Sequence, residues 1–164
     1  TDLPGPGGGP ILRIGWDYGH VALGAPNDYF FSDPLLAGQM LTATLDWLIH
    51  RTFDESTGES AEGYFNDLDL QLWSVTNGQL DTLIAESCSL YNNVEHLYVA
   101  IPGDGDYALR VLFFSNTFDV TGDAPLAEDY GLAWQVPEPG ATIWLVAVVL
   151  FGMRRSRGER RRVS

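Results

Sequence analysis

Six acids fall between residues 54 and 69: Asp54, Glu55, Glu59, Glu62, Asp67 and Asp69. Asp67 and Asp69 stand two apart in Asp67–Val75 (DLDLQLWSV), where leucines alternate with polar residues. On a strand that spacing projects both carboxylates from one face, with Leu68, Leu70 and Leu72 turned the other way. Two unpaired carboxylates side by side repel each other. A hard cation such as Ca²⁺, which takes roughly six to eight oxygen ligands, relieves that repulsion. Asn66, the Asn92-Asn93 pair and Glu95 offer further oxygens where the turns that carry them meet in space. The bland alternative is a solvated acidic face on an acidic protein, and the segment lacks the ligand spacing of an EF-hand loop.

Other chemistry finds less support. The histidines are His20, His50 and His96, and no G-x-S-x-G elbow accompanies them. His96 neighbours Glu95 on an alternating strand, so the two point to opposite faces. His50 ends a strand and reads as exposed. The single cysteine, Cys88, excludes an internal disulfide and any cysteine-based zinc site, and reads as a small buried hydrophobe rather than a thiolate. Trp47, Trp73, Tyr98, Tyr107 and Trp134 read as core or half-core residues, with a sugar-stacking platform as the other reading. A glycosidase pair of carboxylates needs a cleft and a set separation that sequence does not display. The expectation is a chain without catalytic residues.

The elements that must position these groups are short strands. Gln39–His50 alternates Leu41, Ala43, Leu45, Trp47 and Ile49 against Thr42, Thr44 and Asp46. Leu80–Ser87, Val94–Ile101, Asp106–Phe114 and Asp129–Val136 repeat the pattern, and Asn77-Gly78 marks a hairpin turn. Ile11–Gly24, with Trp16 and Tyr18, reads as a first edge strand. The connections are too short for crossover helices, which predicts an all-β antiparallel sandwich of jelly-roll type over 15–136. The Pro/Gly run of residues 1–14 reads as a linker, and the piece as the carboxy-terminal part of a longer protein.

Charge divides the chain. Its 22 acids and nine bases give a net −13, yet six of those bases, all arginines, lie in the last eleven residues. The acidic remainder repels phosphate backbones, which excludes nucleic acid as a partner of the folded part. Pro137-Glu138-Pro139 closes the last strand, because proline supplies no ladder donor. Ala141–Met153 follows without a charge, and the cluster with Arg154, Arg155 and Arg157 comes next. A short hydrophobic helix is expected there, brief for a bilayer span, with the arginines on the cytoplasmic side.

The motif Pro137-Glu138-Pro139, the apolar stretch and the arginine cluster together resemble the PEP-CTERM sorting signal of exported proteins in Gram-negative bacteria. That resemblance implies recognition by an exosortase-type enzyme, transient residence in the inner membrane, and release or attachment at the cell envelope. A second likeness covers roughly residues 15–135. LTATLDW (41–47), NDLDLQLW (66–73), NNVEHLYV (92–99), PGDGDYALRV (102–111) and EDYGLAW (128–134) look like the β-sandwich appended after subtilisin-like peptidases, related to pre-peptidase carboxy-terminal domains. It implies a small jelly roll, often calcium-stabilised, with Asp67 and Asp69 as metal positions and Asn66, Asn93 and Glu95 beside them. An upstream catalytic domain or an extracellular polysaccharide is the partner it suggests. Phe53–Phe65 keeps the acids of that family without a clean metal spacing.

Overall fold

The computed structural model describes residues 5–120 and 122–138. Pro139, the apolar stretch and Arg154, Arg155 and Arg157 lie outside the described residues, and so does the expected C-terminal helix. Within them the protein is all-β, with no helix, in two sheets. The strands are β1 (Gly5–Pro6), β2 (Gly9–Ile11), β3 (Ile14–Ala22), β4 (Asn27–Phe31), β5 (Met40–Trp47), β6 (His50–Asp54), β7 (Glu59–Thr76), β8 (Gln79–Ser87), β9 (Val94–Ala100), β10 (Asp106–Asp119) and β11 (Ala127–Gln135). One sheet runs β1-β3-β11-β5-β9; the other runs β2-β4-β10-β7-β6, with β8 also on β7.

The alternation predicted for β5, β7, β9, β10 and β11 is present and sets the core. Leu41, Ala43, Leu45 and Trp47 from one sheet meet Leu68, Leu70, Leu72, Leu109, Val111 and Phe113 from the other, all buried. Each strand commits every second residue to this layer, which is what a two-sheet sandwich requires. Asn77 and Gly78 take φ of 53° and 74°, the left-handed pair that a tight hairpin needs between β7 and β8.

Three features depart from the sequence reading. The supposed linker enters both sheets: β1 pairs parallel with β3, and β2 pairs parallel with β4. Parallel neighbours need no helix here, because each is only two or three residues long and the chain steps from one sheet to the other between them. Second, the acidic segment at 54–63 is a hairpin between β6 and β7, turned at Gly58 with φ of 72°. Third, β10 runs on to Asp119 through two bulges, which let it stay paired with the equally long β7.

Strand β3 inverts the usual polarity. Gly15 and Gly19 face inward, where an added Cβ would come within 2.5 Å of the Trp134 ring and 2.6 Å of the Tyr130 ring. Trp16 and Tyr18 consequently face out. Gly19→Ala should destabilise the fold by about 1–3 kcal/mol through overpacking against Tyr130, whereas Trp16→Ala should stay within about 0.5 kcal/mol of the parent. Urea denaturation of the two variants checks this, and equal losses would contradict the assignment of faces.

Candidate functional site

The residues proposed from sequence as metal ligands divide into two groups. Asn66 and Asp67 are adjacent on β7 and so project to opposite faces. The Asn66 amide donates to Glu128 Oε2 at 2.9 Å and to the carbonyls of Pro125 and Ala127, while its oxygen accepts from Asn116 at 2.9 Å. Asn93 donates to the Trp47 carbonyl at 2.7 Å and accepts the Trp47 N–H through its own carbonyl at 3.1 Å. Both asparagines therefore clamp strands to one another, and the Asn66 oxygen is claimed by Asn116.

Asp67, Asp69 and Glu95 do form an electrostatic group. All three are buried, although a solvated face was one expectation for the aspartates. The chain folds back between β8 and β9 at this edge of β7: Ser87 Oγ and the Ser89 N–H donate to the Glu95 carboxylate. Thr117 also donates from β10 to the Leu90 carbonyl at 3.4 Å. Glu95 is thereby satisfied. Asp67 Oδ1, by contrast, is buried with no hydrogen-bond partner.

Burial first, and the Glu95 charge second, push the Asp67 carboxyl up to about 6. Burial, then Asp67, Glu86 and Glu95, push Asp69 up to about 7. Among the described residues no three His, Cys, Asp or Glu side chains are gathered as a metal site. A proton on either aspartate relieves the repulsion that their spacing implies.

Other residues fall differently from their sequence readings. Cys88 is exposed rather than buried. Partial desolvation and then the neighbouring carboxylates, Glu86 first, raise its pKa, the reverse of what activates a thiolate. Trp47, Tyr107 and Trp134 are core, and Trp73 is half-buried, stacked under the Arg110 guanidinium at 5.8 Å. Tyr98 is 69% exposed, because its position on β9 has the outward parity. His50 is not free: it shares hydrogen bonds of 3.1 and 3.2 Å with the buried Glu128 and stacks on Tyr64.

Sequence reasoning missed the outward face of the first sheet. Its pairing register aligns Trp16 with Ala133, Thr44 and His96, and Tyr18 with Gly131, Asp46 and Val94. Ile14, Gln135, Thr42 and Tyr98 make the next row. Where the Tyr18 row ends, a pocket of about 280 Å³ opens between Tyr18, Asp46, Leu48, His50 and Asp129. Asp129 is held by His20 at 2.6 Å, and the Asp46 carboxylate lies over Gly131, where an added Cβ would come within 2.7 Å of its oxygen. The signal that could have revealed this face is the pair Gly15 and Gly19, four residues apart on β3 and sharing the parity opposite to Trp16 and Tyr18.

The motif at the end of the fold is partly described. Val136 is fully buried and its N–H donates to the Arg13 carbonyl at 2.7 Å. The Pro137 carbonyl accepts from Gln39 at 3.1 Å, and Glu138 is 82% exposed, 3.9 Å from Arg13.

No family model matches the chain, and no curated protein matches it. The fold is similar to the crystal structure of Aeromonas hydrophila PliG, a periplasmic lysozyme inhibitor of g-type lysozyme. The TM-score is 0.46 at 10% identity, over 81% of this chain and 100% of that one.

The raised carboxyls have a defined consequence for stability. An aspartate whose folded pKa of about 7 lies above its unfolded value near 3.8 binds more protons when folded. Stability is then greatest at the acid end of that window and falls as pH rises through it. Asp69→Asn should nearly match the parent at about pH 3.5, below the unfolded carboxyl pKa, and exceed it at about pH 8 by an amount on the order of 3–4 kcal/mol. Urea titrations at both pH values measure this; a parent protein more stable at pH 8 than the variant would contradict it.

Proposed function

We propose that this chain is an exported, non-catalytic β-sandwich accessory domain, delivered to the cell envelope by an exosortase-type signal that begins at Pro137. The observation that carries the reading is the position of the motif. Among the described residues the last buried side chain is Val136, and the Pro-Glu-Pro motif starts on the next residue. Gln39 and Arg13 tether its first two residues to the sandwich edge, and the Glu138 side chain stands in solvent. A sorting enzyme thus meets an exposed acid on a firm base, followed by an apolar stretch and arginines suited to transient retention in the inner membrane. The acidic sandwich stays on the outer side and protects or positions whatever is joined to it.

Replacing Arg154, Arg155 and Arg157 with glutamine should leave the sandwich folded and strand the protein before surface delivery. Fractionation of a Gram-negative host that carries an exosortase, read by antibody against the sandwich, measures the outcome. Unchanged delivery would overturn the sorting assignment.

Calcium is a second reading, favoured by one observation: the unpartnered, buried Asp67 Oδ1. Its carboxylate ligands would be Asp67 and Asp69, and its contribution would be charge neutralisation at the β7 edge, competing there with protons. Millimolar CaCl₂ should then raise the melting temperature at pH 8 and leave Asp69→Ala unaffected. An unmoved melting temperature would assign the site to protons alone.

A further inference from the structure

The outward face of the first sheet has the composition of a recognition surface. Trp16 is 78% exposed, Ile14 64%, Tyr18 50% and Tyr98 69%, on a face where antiparallel sheets commonly present polar residues to water. The placement runs against the strand's own hydrophobic pattern. Slipping β3 by one residue would bury Ile14, Trp16 and Tyr18, yet Gly15 and Gly19 hold the inward positions because Trp134 and Tyr130 occupy the space beneath them. Large rings kept in water by such an arrangement contribute little to the core and leave an apolar patch open to a partner.

Their layout is that of two aromatic rims with a low floor between them. Trp16 and Tyr18 form one rim on β3; His96 and Tyr98 form the other on β9. Between them lie β11 and β5, whose outward residues are uncharged in the Trp16 and Ile14 rows (Ala133, Thr44, Gln135 and Thr42), while the Tyr18 row pairs Gly131 with the acid Asp46. Three interstrand spacings separate the rims, roughly 14 Å. Thr44 Oγ1 is 2.8 Å from His96 Nδ1, which orients the imidazole against the floor.

Charge selects the occupant. In a chain of net −13, the Trp16 row and the Ile14 row carry no charged side chain, and the nearest acids, Asp46 and Asp129, cluster at the pocket end. Each arginine among the described residues faces an acid: Arg13 with Glu138, Arg51 with Glu62 and Arg110 with Asp28. Among the described residues an anionic partner therefore finds no arginine without an acid beside it. A second copy would set Asp46 and Asp129 against their own like. What fits is a neutral, hydroxyl-rich chain, whose C–H faces stack on the electron-rich rings and whose hydroxyls reach Thr42, Thr44, Gln135 and the Asp46 carboxylate.

We propose that this face binds a neutral polysaccharide laid across the strands from Trp16 to the β9 rim. The inference stands apart from the sorting reading, since neither needs the other. The test is affinity electrophoresis of the full chain in native gels containing soluble neutral glucan, xylan or galactomannan, with alginate as the anionic comparison. At least one neutral glycan should retard the protein while alginate does not, and Trp16→Ala should weaken retardation about tenfold or more, with Tyr18→Ala acting in the same direction. An unchanged melting temperature in both variants keeps loss of binding separate from loss of fold. Absence of retardation by every neutral glycan, or retardation equal in parent and Trp16→Ala, would overturn the proposal. So would a dimer in sedimentation equilibrium that Trp16→Ala disperses, because the face would then belong to a second copy.

Discussion

The contact of β11 with β3 through Tyr130 and Trp134 governs the rest of the molecule. These two rings enter the space beneath β3, and the strand answers with glycine at positions 15 and 19. A Cβ at either would collide, so the large residues of β3 have one remaining direction, outward. The Tyr130 hydroxyl meets that of Tyr29 at 2.5 Å, and Asn27 donates to it at 2.7 Å. Tyr29 in turn donates to Asp17 at 2.8 Å, so the inward acid of β3 is satisfied as well. Burial raises both phenols above their ordinary range and keeps them neutral donors and acceptors across the sheets.

The same strand leads into the Pro-Glu-Pro motif. Val136, one residue past β11, is buried beside Arg13, and the motif that follows rests on the edge those residues make. The candidate sorting signal and the aromatic face are thus mounted on neighbouring strands of one sheet. The second sheet supplies the stiffness behind them. β7 and β10 pair from Tyr64 to Val75 and from Asp106 to Asp119, broken only by two bulges. Their length gives the sandwich a continuous floor on which β6 and β8 take separate ends of β7.

The acidic edge of β7 illustrates how burial changes the meaning of a motif. Asp67 and Asp69 share a face, as their spacing requires, and that face is closed by the return of the chain between β8 and β9. Once water is excluded, a carboxylate there is costly unless neutralised, and a proton or a cation each serves. The Glu95 carboxylate instead accepts from two donors, the Ser87 hydroxyl and the Ser89 N–H. Hydrogen bonding thus sets Glu95, with its two donors, apart from Asp67, whose Oδ1 has none.

Period-two alternation made β5, β7, β9, β10 and β11 readable before any coordinates, because a strand facing core on one side writes its pattern locally. The Asn77-Gly78 turn and the end of β11 ahead of Pro137 were readable for the same reason: left-handed φ and a missing donor are properties of single residues. The short strands β1 and β2 were not, since glycine and proline carry no pattern and acquire partners only when β3 and β4 lie alongside. Nor could sequence choose a face for β3, where hydrophobicity alone sends Trp16 inward. That choice was made by Trp134 and Tyr130, more than a hundred residues away, through the volume they occupy. Asn66 and Asn93 make the same point: side-chain type marks them as oxygen donors, and only the packed neighbours decide which hydrogen bonds claim them.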